Sequence, residues 1–100
     1  MPSPNIALPT AAIAELCSRH RILKLSVFGS VLRPDFQSSS DIDVLVTFEP
    51  GVPVGFRIFE IEAELSALFG GRKIDLVNEK FLNPHLRDRI LNSAVVAYAA

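Results

Sequence analysis

The chain has 100 residues, 49% hydrophobic and 21% charged, a balance that fits one globular domain with a single core and excludes a disordered tail. Its formal net charge of −1 gives no general electrostatic reason to hold a long polyanion, so a nucleotide ligand would have to be held locally. A single cysteine, Cys17, rules out an internal disulfide framework, and no apolar run approaches the roughly 20 residues needed to cross a bilayer. With no charged-then-apolar leader at the N-terminus, the expected location is the reducing cytoplasm.

Pro2, Pro4 and Pro9 punctuate the start, and residues 1–8 are read as a loose arm ahead of one domain spanning residues 1–100. After Pro9, AAIAELCSRH spaces Ile13, Leu16 and Cys17 by three and one, the stripe of an amphipathic helix with Thr10 as its N-cap. RILKLSVF alternates, with Leu23, Leu25 and Val27 on one side and Lys24, Ser26 and Phe28 on the other, and Gly29 ends this strand. SVLRPDFQSSS then reads as a short helical turn from Ser30 followed by a loop.

DIDVLVTF is the strongest strand. Ile42, Val44, Val46 and Phe48 share one face, and Asp41, Asp43, Leu45 and Thr47 the other. EPGVPVG is a turn-rich connection to a helix over GFRIFEIEAELSALFG, closed by Gly70 and Gly71, and Phe56 and Phe59 at its start belong either under the sheet or in a protein interface. RKIDLV supplies a third strand that opposes Ile74 and Leu76 to Lys73, Asp75 and Val77. Pro84 suits the first turn of a last helix, and AVVAY a short final strand. This order predicts an α/β (α+β) fold, a small mixed sheet with helices packed mainly on one face and a polar surface left on the other.

Three acids stand out against that pattern. Asp41 and Asp43, two apart, project together about 6.5–7 Å apart along the backbone, and like charges at that spacing repel unless a cation lies between them. Mg²⁺ is the hard, oxygen-seeking ion that such carboxylates collect. Asp75 repeats the anomaly in the third strand. Each acid also has a plainer reading: Asp41 as a turn or strand-entry residue, Asp43 paired with Arg33, Arg72 or Lys73, and Asp75 paired with Lys73 or a neighbouring arginine. Gly29 leaves room for a close-lying ligand, and the turn opening at Ser30 offers a hydroxyl and backbone N–H groups to a phosphate.

The FGS turn, the SDIDVLV strand and the later IDLV segment together resemble the minimal nucleotidyltransferases of the DNA polymerase beta-like superfamily, over nearly the whole chain. The compact length is similar to that of the family's antitoxin members. The resemblance implies that Gly29 and Ser30 cradle a nucleoside triphosphate, that Asp41, Asp43 and Asp75 are catalytic ligands of two Mg²⁺ ions, and that Asp75 serves as base or ligand to the ion activating the acceptor. Arg33 stands where similar sequences carry a basic phosphate contact; a solvent-facing loop arginine is the other reading, and the loop departs from the commoner Arg-Gly form. The implied reaction moves AMP from ATP to a tyrosine hydroxyl on a HEPN-domain toxin, silencing it. Against this stand a non-catalytic antitoxin that works by occlusion, and a transferase acting on a small molecule or an RNA end. His20 and His85 lack the spacing of a zinc site and are read as surface residues, and Cys17 as core. Arg87 and Arg89 are read as a solvated face of the last helix.

Overall fold

Helix α1 (Thr10–Arg19) forms because Ile13, Leu16 and Cys17 fall on one stripe, and all three are buried. In the computed structural model, which describes residues 6–37 and 39–100, α1 leads into β1 (Ile22–Phe28) and a single 3₁₀ turn (Gly29–Leu32). Then come β2 (Ile42–Phe48), α2 (Arg57–Leu68), β3 (Ile74–Asn78), a second 3₁₀ turn (Glu79–Phe81), α3 (Pro84–Ser93) and β4 (Val95–Ala99). The four strands lie in the order β3-β2-β1-β4. β1 is antiparallel to both β2 and β4, whereas β2 and β3 are parallel. A parallel pair needs a crossover, and α2 supplies it.

Helices α1 and α2 pack together and cover one face of this mixed sheet, α1 against β1 and β4 and α2 against β3. Leu25, Val27, Ile42, Val44, Val46 and Ile74 point into the same core as Leu16, Ile61 and Leu65. The expected α+β architecture is therefore what forms. Helix α3 has no buried residue. Pro84 fits its first turn, and the Asn83 side chain accepts the His85 N–H at 2.9 Å.

Several local expectations are corrected. Residues 1–5 of the expected arm lie outside the described residues, but Ile6 and Leu8 pack against the core instead of hanging loose. Thr10 is the first helical residue; Pro9 occupies the capping position and no side chain caps the helix. In β1 the pairing passes from Ile22 opposite Phe48 to Lys24 opposite Thr47, so Leu23 is an extra, bulged residue. The bulge turns Ile22 into the core and leaves Leu23 exposed. Phe56 and Phe59 do not pack under the sheet: they are 85% and 62% exposed, because the buried stripe of α2 runs through Ile61 and Leu65. Their rings stack on one another, with centroids 6.2 Å apart. His20 is buried, not superficial, and its Nε2 bonds the Glu64 carboxylate across the α1–α2 junction, where Arg19 joins at 2.8 Å.

Candidate active site

Parallel pairing decides where the acids meet. Asp43 on β2 sits in register with Asp75 on β3, and Phe28 on β1 is the antiparallel partner of Asp43. Side chains at one register position of neighbouring strands point the same way, so both carboxylates stand on the face opposite α1 and α2, on strands about 4.8 Å apart. Asp41 stands one residue before β2. Its carboxylate is half-exposed and lies 3.8 Å from Lys73 Nζ, and the next residue's N–H, that of Ile42, donates to the Lys73 carbonyl at 3.0 Å.

Gly29 closes β1 with φ +69°, a left-handed conformation that favours glycine. A Cβ there would also run into the Asp43 carboxylate, so the bend is pressed directly against that acid. Ser30 is not free, as the sequence suggested. Its backbone N–H donates to the Asp43 carboxylate, and its hydroxyl donates to the Asp41 carbonyl at 3.0 Å. The turn it opens is one 3₁₀ turn of four residues. Burial raises the pKa of Asp43 above the ordinary carboxylate value; the Ser30 N–H opposes this, the charges of Asp75 and Asp41 add to it, and Arg33 pulls the other way. Arg33 is thus close enough to Asp43 to be felt electrostatically, though its own side chain is exposed.

Burial does not single out all three acids. Asp43 is half-buried, whereas Asp75 is exposed on the edge strand β3 and Asp41 is exposed before β2. For Asp75 the informative feature is its alignment with Asp43, not the cost of hiding a charge.

With this geometry in view, residues 11–97 match the sequence profile of the family described as nucleotidyltransferase domain. The chain belongs to that family. The protein adenylyltransferase MntA of Thermococcus cleftensis is 36% identical over 86 residues, covering 86% of this chain and 85% of the relative. A solved structure described provisionally as a minimal nucleotidyltransferase is 36% identical with a TM-score of 0.72, covering 86% of each chain. A chain from a complex of tri-AMPylated Shewanella oneidensis HEPN toxin with MNT antitoxin matches at TM-score 0.63 over 91% of this chain and 70% of its own length. At 17% identity that last likeness is one of fold.

For a nucleotidyltransferase the all-oxygen donor set Asp41, Asp43 and Asp75 has the right chemistry for a hard divalent cation. Among the described residues no three such side chains are drawn together around one point, since Asp43 is turned to the Ser30 N–H and Asp41 toward Lys73. The Lys73 contact is long and exposed, so Asp41 can exchange it for a cation at little cost. The mutual repulsion that helps raise the Asp43 pKa is what such a cation would relieve. The set therefore fits.

Sequence reasoning missed two features. The Arg72 guanidinium carbon stands 4.4 Å over the Phe36 ring and its Nη2 donates to the Gln37 carbonyl at 2.8 Å, fastening the loop that precedes Asp41. At the other end of β2, Thr47 donates to Glu79, which also meets Arg87 at 3.4 Å. These residues line a cleft of about 330 Å³ roughly 13 Å along the strand from Asp43. The basic pair Arg72-Lys73 immediately before the IDLV strand was the available signal for the first feature.

Proposed function

We propose that residues 1–100 act as one catalytic domain that transfers AMP from ATP to a tyrosine hydroxyl of a partner HEPN-domain toxin, and so serve as the antitoxin of the pair. The observation that carries this reading is the register match of Asp43 with Asp75 beside a Gly29-Ser30 bend pressed against Asp43. The name of the Thermococcus cleftensis relative supports protein adenylylation, and the Shewanella oneidensis complex supports a HEPN toxin as the acceptor's carrier.

In this reading Ser30 releases its N–H from Asp43 to a phosphate oxygen, and Arg33 adds charge from the same turn. Asp41, Asp43 and Asp75 would hold Mg²⁺. Bound Mg²⁺ supplies Lewis-acid stabilisation of the charge on the α-phosphate and the departing pyrophosphate. Asp75, exposed on the edge strand, would take the proton of an acceptor hydroxyl or orient it. The hydroxyl oxygen forms the new bond to the α-phosphorus in line with the bond to pyrophosphate that breaks. The reaction belongs in the cytoplasm, where ATP is available; among the described residues no helix is long and apolar enough to cross a membrane.

Incubation with labelled ATP, Mg²⁺ and the partner, followed by intact-mass analysis, is expected to show one or more added AMP groups on the partner. Replacing Asp41 and Asp43 by Asn should reduce transfer by orders of magnitude while the complex still assembles. Neutralisation of the toxin by the doubly substituted protein with no mass added would instead establish occlusion, and transfer to a small molecule or an RNA end would move the substrate class.

A further inference from the structure

We infer that Arg72 is a positioning residue for the nucleotide site: it clamps the loop of residues 33–40 so that Ser30 and Asp41, at its two ends, are presented together. The inference rests on the nucleotide-binding reading above. This loop joins the Gly29-Ser30 bend to Asp41, and its own bonds are short-range: Phe36 N–H to the Arg33 carbonyl at 3.2 Å, Ser40 N–H to the Gln37 carbonyl at 3.0 Å, and Gln37 N–H to Ser40 Oγ at 3.1 Å. Such bonds shape the described part of the loop from within.

Phe36 and Arg72 add contacts that reach the core and the start of β3. Phe36 packs against the core, the Arg72 guanidinium lies over its ring, and Nη2 of the same group donates to the Gln37 carbonyl. Arg72 stands three residues before Asp75 and next to Lys73, whose carbonyl accepts the N–H of Ile42, the residue after Asp41, at 3.0 Å. Two consecutive residues at the mouth of β3 therefore tie the loop and Asp41 to the strand that carries Asp75. A lysine at position 72 could keep the charge but could not both stack flat on a ring and donate sideways to a carbonyl. The buried Nη1 has no hydrogen-bond partner among the described residues.

The test measures binding of ATP with Mg²⁺, without partner, by calorimetry for wild type, Arg72→Ala, Arg72→Lys and Phe36→Leu. It is run beside amide hydrogen exchange over residues 33–40 and thermal melting. Arg72→Ala should weaken binding by about tenfold, in keeping with the cost of small misplacements. It should speed exchange in the loop and lower the melting midpoint by about 4–8 °C, leaving the protein folded at the assay temperature. Phe36→Leu should act in the same direction, the double substitution should be no worse than the worse single one because the two act as a unit, and Arg72→Lys should recover less than half of the binding free energy lost. Unchanged loop exchange, unchanged binding, or losses explained by a general fall in stability would overturn the inference. A wild type that binds no MgATP would instead bring down the nucleotide reading itself, which separates the two failures.

Discussion

Replacing Gly29 by Ala tests the contact on which the site is built, and its cost divides into two separable parts. The residue sits at φ +69°, where an L side chain loses about 1–2 kcal/mol to the clash of its Cβ with the backbone. The same Cβ would meet the Asp43 carboxylate, which must then swing away from the Ser30 N–H. Loss of a hydrogen bond to a charged group at a half-buried site adds roughly 1–2 kcal/mol. The sum, about 2–4 kcal/mol, is large for a domain of this size, and even 2 kcal/mol would lower the melting midpoint by roughly 8–16 °C. Urea denaturation of wild type, Gly29→Ala, Asp43→Ala and the double variant closes a thermodynamic cycle. In the Asp43→Ala background only the backbone strain remains, so the alanine should cost about 1–2 kcal/mol there, leaving a coupling of at least about 1 kcal/mol. Equal costs in both backgrounds, within about 0.5 kcal/mol, would show that position 29 does not press on Asp43 and would refute the geometry.

The Asp43 carboxyl holds its proton more tightly in the folded chain than at its ordinary 3.8, so stability should fall as pH rises through that interval. Asp43→Asn should therefore be more stable than wild type at neutral pH in chelator, with the gap closing towards pH 3.8; urea titrations showing no gap would contradict this. Glu64 behaves oppositely, because the Arg19 hydrogen bond and then His20 hold it below 4.5. Its contribution is present above 4.5 and fades as pH drops through the lower folded value, so Glu64→Gln should flatten the acid limb of the stability profile. The Cys17 thiol, fully buried and pushed up to about 12, should resist iodoacetamide in native protein at pH 8 and react once urea unfolds the chain. Ile61→Ala should cost about 2–5 kcal/mol in denaturation, whereas Phe56→Ser and Phe59→Ser should stay within about 0.5 kcal/mol, since only Ile61 is buried.

Much of the fold is written in local patterns. The alternation in Ile42–Phe48 and the three-four spacing in α1 follow directly from which residues must leave water, and both elements form where those patterns place them. Adjacent apolar residues blur the signal: Ile22 and Leu23 are equally fit for a core, and the bulge that chooses Ile22 depends on pairing with β2. Phe56 and Phe59 mislead for a related reason, because hydrophobicity argues for burial while the phase of α2 gives the core to Ile61 and Leu65. At the site, the position of Asp43 was readable from its own strand, but the exposure of Asp75 follows from β3 being an edge, which no stretch of sequence states. The engagement of Ser30 and the Arg72 clamp were hidden because their partners, Asp43 and Phe36, are distant along the chain.

The two borders of the sheet differ in a way that bears on how this protein goes wrong. β3 opens behind Lys73 and carries Asp75 as its second residue, charges that repel an incoming strand, whereas Val95–Ala99 of β4 bears none and leaves Val96 48% exposed. Self-association through backbone pairing should accordingly begin at β4. A lysine in place of Val96 should slow light-scattering growth in concentrated solution, and an unchanged growth rate would locate the sticky border elsewhere.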